Sequence, residues 1–554
     1  MSFQRMRRGA GFFATACAAS ALVVPSALAA PADPNQPAAA TVQKDADTTL
    51  TIHKCEQTDT NGTAAGTGLQ QAPADCNAME GVTYKITKLD YNLSTQEGWT
   101  QLAAANGDVN TASAAHKTNT SFEDKTTANG SLTFDANKTD VGAYLVQEIS
   151  TAGAKVHRPG GATEDVKGAI PGADFIVTLP MTSPGNTNAW NYDVHVYPKN
   201  TLSGIEKKVV DTGKASGSGN SLEYTIDAAI PKVNVAGGET IKRFNVIDQL
   251  DPRVQKGTGA DQLNPRVAIV GKNAQALAAN TDYTVTVAAG NDGKNYLTVE
   301  FTADGLTKIA TARANGDNTT KVQVILTATF AADTSLDGGI SNTAFLIPSD
   351  SPEFNWDKDH PTTPGNNVPS TDPVVSKYGK VELSKKGSDT NNLLPGAEFQ
   401  LYQCTWDGNN DTTPQLRDSD TTDATALTPL TVKNASTFIT QGDGKVVVDA
   451  LRANDWENGA TKVLTNDDYY CFVETKAPEG YTLQAEPVPF QILAASAENT
   501  NEMKGVEITD VPKNAGFHLP LTGASGVVFL TVVGGVLVLA GAGIAYANKR
   551  RQNH

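Results

Sequence analysis

Short runs in which apolar and polar residues alternate recur along this chain, and that period of two constrains its fold more than any other feature. Residues 48–54 read TTLTIHK, which puts Leu50, Ile52 and Lys54 on one side of an extended strand. Similar runs follow at 82–86, 131–134, 143–147, 175–179 and 192–197, with long Asn-, Thr-, Ala- and Gly-rich stretches between them. A second series opens at 204–209 and passes through 223–226, 244–248, 283–287, 296–301 and 322–330 before closing at 340–345. A third opens at 380–385 and ends at 506–511. This spacing predicts antiparallel sandwiches, with one short helix at 306–314. A chain of 554 residues is too long for a single core. The openings IEKKV (205–209) and VELSKK (381–386) resemble each other, a weak internal repeat. The expectation is three sandwich domains at 30–200, 201–375 and 376–514. The Pro-, Asp- and Asn-rich stretch 348–374 reads as a linker or a wrapped loop.

Both ends carry export signals. Arg5, Arg7 and Arg8 precede an apolar stretch at 11–24, and Ala27-Leu28-Ala29 supplies a small-residue cleavage pattern, so residues 1–29 read as a secretory signal peptide. At the other end, Leu519-Pro520-Leu521-Thr522-Gly523 precedes an apolar run at 527–547 and then Lys549-Arg550-Arg551. That run, about twenty residues, is long enough to span a bilayer, and the basic residues behind it should stay cytoplasmic. The formal net charge is −16. Removing both ends, each with three Lys or Arg and no acid, leaves the mature chain more acidic still. Nucleic-acid binding needs clustered positive charge and is excluded on that ground.

Cys17 lies in the signal segment, and four cysteines remain in the exported part. An even count favours disulfides. Four cysteines allow three connectivities, and the grouping favours Cys55–Cys76 and Cys404–Cys471, because each pair stays within one expected domain. Zinc is the rival reading, but there is no Cys-x-x-Cys or Cys/His cluster. Asp407-x-Asn409-x-Asp411 begins like a calcium loop, but Thr412 stands where the glycine should be, so a polar surface loop is expected. No metal, cofactor or nucleotide fingerprint is found, nor a G-x-S-x-G nucleophile.

Three sets of residues carry a family resemblance. The LPLTG stretch, the span and the basic tail at 515–554 resemble the cell-wall sorting signal of Gram-positive bacteria. Residues 190–199 (WNYDVHVYPK) match the pilin motif W-x-x-x-V-x-V-Y-P-K at Trp190, Val194, Val196, Tyr197, Pro198 and Lys199. Residues 470–481 (YCFVETKAPEGY) resemble the pilin E-box, with Phe472 in place of Leu. The chain thus resembles the major shaft pilins of sortase-assembled pili. The resemblance implies an all-β fold of three tandem Ig-like domains of the collagen-adhesin (Cna-A/Cna-B) types. It also implies a structural subunit that is not an enzyme. A sortase cysteine would cleave between Thr522 and Gly523, and the Lys199 ε-amine of the next subunit would resolve the thioester. The implied partners are identical subunits, pilus-specific and housekeeping sortases, a tip or minor pilin, and peptidoglycan, with host or bacterial surface receptors for the finished fibre. The implied location is the cell surface.

The same resemblance implies intramolecular isopeptide bonds. A buried carboxyl such as Glu474 is favoured in its protonated form, and a buried lysine in its neutral, nucleophilic form. In the third domain Lys385 would join Asp510, losing water, with Glu474 as proton shuttle; Asn514 is a weaker acceptor because it falls past Pro512. In the second, Lys207 would join Asn342 with Asp248 as shuttle, and Lys208 is the alternate by a one-residue register error. In the first, Lys54 and Glu148 point inward but no inward Asn is evident at the domain's end, so no bond is expected there. A monomeric wall-anchored adhesin is the alternative reading. A surface hydrolase would need a convergent catalytic group that the sequence lacks.

Overall fold

The computed structural model describes residues 41–513 and Phe517, apart from 60–65, 72–74, 186–187, 214–220, 254–262, 330–335, 337–338, 418–426 and 495–502. The signal peptide, Asn514, the LPLTG motif with Thr522, and the apolar C-terminal run lie outside the described residues.

The alternating runs form strands, and their apolar faces pair into sandwiches. In the N-terminal region, Thr49–His53 lies between Asp193–Val196, to which it is parallel, and Ser131–Phe134, to which it is antiparallel. A four-stranded sheet faces it, in the order Phe175–Leu179, Gly142–Ser150, Thr83–Leu89, Lys117–Lys125. Leu50, Ile52, Tyr84, Ile86, Phe134, Val146 and Val194 fill the space between the two sheets. One stretch read as loop contains two short helices, Gln96–Ala103 and Val109–Ala114. Their start signals are side-chain caps: Thr95 accepts from the Gly98 amide at 3.2 Å, and Asp108 accepts from the Thr111 amide at 2.6 Å.

The middle region packs two five-stranded sheets. One contains Ile205–Val210, Ser221–Ala229 and Lys321–Thr329; the other contains Asn245–Leu250 between Asn295–Phe301 and Ile340–Ile347. The expected helix is present as Ala303–Ala314 and begins a turn earlier, where Thr302 accepts from the Gly305 amide at 3.2 Å. The Pro-rich stretch at 348–374 wraps rather than links. It buries Phe354, Trp356 and Val368 against Ile247, Tyr296, Phe345 and Ile347 on the outer side of the sheet. Aromatic side chains in a polar segment are what hold it there.

In the C-terminal region Tyr378–Gly387 runs between Lys445–Arg452 (antiparallel) and Lys504–Asp510 (parallel). The second sheet is built on Glu398–Thr405 and Tyr469–Lys476. This region is joined tightly to the middle one. Tyr378 and Ala450 belong to the middle region's apolar core. The buried Asp211 carboxylate accepts from the Asn458 amide at 2.7 Å and from the Ser376 hydroxyl at 3.1 Å.

Cys55–Cys76 and Cys404–Cys471 are disulfide-bonded. The second joins neighbouring strands across a sequence separation of 67. The double substitution Cys404→Ser, Cys471→Ser is expected to cost about 2–4 kcal/mol by releasing that loop in the unfolded chain. A calorimetric scan should then show the C-terminal transition at lower temperature, with the N-terminal transition unmoved.

Candidate functional site

The pilin-motif strand is bound to the first strand of the sandwich. Val194 pairs with Leu50 and is fully buried in the core. Trp190 stacks on Trp99 with ring centroids 5.4 Å apart, and Tyr197 stacks on His53 at 4.6 Å. The Tyr197 hydroxyl accepts from the Gln71 amide at 2.7 Å. Pro198 has no N–H to give, and its carbonyl accepts from the Cys55 amide at 3.3 Å. The chain then starts a new strand, Lys199–Leu202, parallel to Cys55–Glu56. Trp190, Tyr197 and Pro198 hold the backbone that leads into Lys199, and the pairing with Cys55–Glu56 holds it from Lys199 onward.

Lys199 is half-buried at the rim of a groove of about 660 Å³ between the N-terminal and middle regions. Lys232, Pro231, Gly172 and Asp350 also line it. Partial burial, and secondarily the like charge of Lys232, lower the Lys199 pKa from the ordinary lysine value. A larger fraction of this amine is therefore neutral at a given pH, the form that attacks a thioester.

Alternation after Pro198 turns the next side chain inward. Asn200 is fully buried and corrects the expectation that this region lacks an inward Asn. Its Oδ1 accepts from Lys54 Nζ, and its Nδ2 donates to Glu148 Oε1. Lys54 Nζ also contacts Glu148 Oε2 at 2.7 Å, and the Lys54 side chain has no exposure. Burial lowers the Lys54 pKa, against the opposing pull of Glu148. The signal was available in the sequence: Lys199 at the rim requires residue 200 to face the core.

In the middle region Lys207 is buried and Lys208 exposed, so the alternate register is set aside. Lys207 Nζ lies 2.6 Å from Asp248 Oδ1, both side chains being fully buried. It also sits 4.7 Å from the centre of the Tyr224 ring. Burial lowers the Lys207 pKa and raises that of Asp248, and each opposes the other's shift. Asn342 is buried on the strand paired with Asp248's own, where Asp248 faces Ala344. Among the described residues, neither Asn342 amide atom makes a hydrogen bond of good geometry, nor does Asp248 Oδ2, although Asn342 lies close enough to Asp248 and Tyr224 to influence both. Buried amide atoms left in that condition are costly.

In the C-terminal region the parallel pairing of Lys385 with Ile508 and of Gly387 with Asp510 brings the first and last strands side by side. Lys385 Nζ contacts Asp510 Oδ1, and lies 3.0 Å from Glu474 Oε1, with all three side chains fully buried. Burial raises the Glu474 pKa, although the Gln484 amide, at 2.7 Å, and Lys385 pull it down. The Tyr470 hydroxyl of the E-box donates to the Arg452 carbonyl at 2.8 Å, and Phe472 packs in the core. Each region thus holds a lysine beside a carboxyl group in an apolar interior.

Comparison with known proteins identifies the family. Residues 45–201 match the family described as Gram-positive pilin subunit D1, N-terminal domain. Residues 379–507 match a prealbumin-like fold domain, and 511–554 match the LPXTG cell wall anchor motif. The chain is 50% identical over 552 residues to the fimbrial subunit type 1 of Actinomyces viscosus, covering 98% of each. It is 30% identical over 536 residues to the fimbrial subunit type 2 of Actinomyces naeslundii, covering 91% of this chain and 90% of that one. Among solved structures, the fimbrial protein FimP from Actinomyces oris is 46% identical, with a TM-score of 0.57 over 86% of this chain and 100% of that one. The full-length major pilin SpaD from Corynebacterium diphtheriae is 27% identical, with a TM-score of 0.62 over 86% of this chain and 99% of that one. The chain belongs to the Gram-positive sortase-assembled pilins: it is a wall-anchored fimbrial subunit of the cell surface, built of Ig-like β-sandwiches.

Proposed function

We propose that this pilin forms the fimbrial shaft through a repeating amide between Thr522 of one subunit and Lys199 of the next. The observation that carries this reading is the half-buried Lys199, presented at a groove by the pilin motif with its amine shifted toward neutrality. In the first step a sortase cysteine attacks the Thr522 carbonyl and expels the amine of Gly523. In the second, Lys199 Nζ attacks the thioester, forms the amide and releases the thiol. The last subunit is transferred to an amine of peptidoglycan instead. A tip or minor pilin, and receptors on host or bacterial surfaces, are the further partners of such a fibre.

Within each subunit, the three buried lysines are nucleophiles for single-turnover self-crosslinking. Lys207 attacks the Asn342 side-chain carbonyl and Lys54 that of Asn200, each releasing ammonia, while Lys385 attacks Asp510 and releases water. Asp248, Glu148 and Glu474 carry the proton from the amine to the leaving group. The domain boundaries that suit these bonds are those expected from the sequence, with Asn200 the closing residue of the first domain.

The linkage is tested on purified fimbriae by protease digestion and mass spectrometry. A branched peptide joining the Lys199 segment to a segment ending in Thr522 is the expected product. Its absence, or a branch at any other lysine, would overturn the assignment.

A further inference from the structure

Four buried polar atoms in the core about Lys207 make no hydrogen bond of good geometry among the described residues: the Tyr224 hydroxyl, Asn342 Oδ1 and Nδ2, and Asp248 Oδ2. Tyr224 reaches this place by alternation. Lys207 pairs with Ile226, so Tyr224, two residues earlier on Ser221–Ala229, lies on the same inward face. Its ring packs against the amine, with Lys207 Nζ 4.7 Å from the ring centre. Asp248 and Asn342 come from the facing sheet. Burial, and then the Asp248 charge, raise the Tyr224 pKa well above the ordinary tyrosine value, while a hydrogen-bonding contact with Asn342 opposes the rise. The hydroxyl therefore keeps its proton and is available as a donor. A phenol in an apolar core costs free energy unless its hydroxyl is used. In the C-terminal region Phe399 lies against Lys385, at 5.5 Å, so an aromatic ring fills that place there without a hydroxyl. In the N-terminal region the Asn200 carbonyl oxygen already has a second donor, the Gly172 amide at 3.1 Å.

We propose that Tyr224 is a catalytic residue of the Lys207–Asn342 crosslink, its hydroxyl donating to Asn342 Oδ1 as that carbonyl is attacked. The proposal rests on the crosslink being formed. Neutral Lys207 Nζ adds to Asn342 Cγ, and the π pair of the carbonyl moves onto Oδ1. That oxygen then carries a full negative charge in a dry core. A fixed donor beside it stabilises the tetrahedral state more than the neutral amide, and so lowers the barrier. Asp248 takes a proton from Nζ and delivers one to Nδ2. The carbonyl re-forms, the bond from Cγ to Nδ2 breaks, and ammonia leaves. Tyr224 holds its own proton throughout, so no co-reactant is consumed. The Gly172 amide has the same task toward Asn200.

The test follows crosslinking in pulse-labelled full-length chains sampled after synthesis. Each sample is digested, and the branched Lys207–Asn342 and Lys385–Asp510 peptides are measured against their linear forms by mass spectrometry. Tyr224→Phe removes only the hydroxyl and is expected to slow the first branch by about 100-fold or more, the usual loss for one oxyanion donor. The second branch should form at its wild-type rate in the same chains. Tyr224→Leu removes the ring as well and separates packing from hydrogen bonding. A wild-type rate in Tyr224→Phe overturns the role of the hydroxyl, and a slow Tyr224→Leu beside it assigns the contribution to the ring. Slowing of both branches in Tyr224→Phe is a folding effect and overturns the role as well. Absence of the Lys207–Asn342 branch from the wild-type chain overturns the crosslink itself, and Tyr224 with it.

Discussion

Replacing Lys199 with alanine is expected to abolish the high-mass ladder that survives boiling in detergent, leaving only single chains attached to the wall. The size of the effect follows from the chemistry. A thioester needs an amine placed at its carbonyl, and placement of this kind contributes several orders of magnitude in rate. Pro198 and the parallel pairing with Cys55 hold the Lys199 backbone at the groove. Its amine is shifted toward the neutral form by partial burial and by Lys232. Lys199→Arg should fail as completely as Lys199→Ala, since guanidinium keeps its proton and is not a nucleophile at physiological pH. Lys232→Ala should leave the ladder in place, because burial contributes more to the shift than the neighbouring charge does. An intact ladder in Lys199→Ala would remove Lys199 from the assembly reaction and favour another lysine.

The second large effect is expected from Glu474→Ala. In the wild-type secreted chain, intact mass should fall below the sequence value by two ammonias and one water, after allowing for two disulfides. Glu474→Ala should restore the water, and Asp248→Ala one ammonia. Each carboxyl group is held toward its protonated form by burial next to a lysine whose neutral form is needed for attack. Removing the carboxyl takes away the group proposed to carry the proton. A Lys385–Asp510 bond would close a loop with a sequence separation of 125, for which the chain-entropy treatment of crosslinks gives about 4–5 kcal/mol. For a domain of this size the corresponding fall in the unfolding temperature of Glu474→Ala is roughly 10–20 °C. The competing description is a buried Lys–Glu–Asp ion cluster with no covalent bond. It also predicts destabilisation, because removing one partner strands a buried charge. Mass separates the two, since an ion cluster leaves the wild-type chain at its full sequence mass.

Much of the architecture was legible because strands bury one face and expose the other. That rule placed Lys207, Asp248 and Lys385 inward, and the structure buries all three. It was less informative where local chemistry departs from alternation. The two capped helices near residues 96–114 sit in a segment whose composition reads as loop, and only Thr95 and Asp108 announce them. The stretch 348–374 has loop composition throughout, yet Phe354 and Trp356 anchor it to the sheet. Asn200 was missed for a different reason. It follows Lys199 directly and was treated as the edge of the domain, although the alternation that puts Lys199 at the rim puts Asn200 in the core.

The sequence by itself determined the strand pattern, the two disulfide-forming groups, the sorting signal, and the pilin motif that ends in Lys199. These are local properties, written in spacing and residue type. Only the tertiary structure decided which buried groups meet. Lys54 and Asn200 are 146 residues apart, and no local pattern relates them. They come together because Cys55–Glu56 pairs in parallel with Lys199–Leu202, which sets the first and last strands of the region side by side, and because the facing sheet brings Glu148 against both. Alternation fixes the side of a strand on which a residue lies. Strand pairing and sheet packing fix what lies opposite it, and the chemistry of this pilin depends on that second choice.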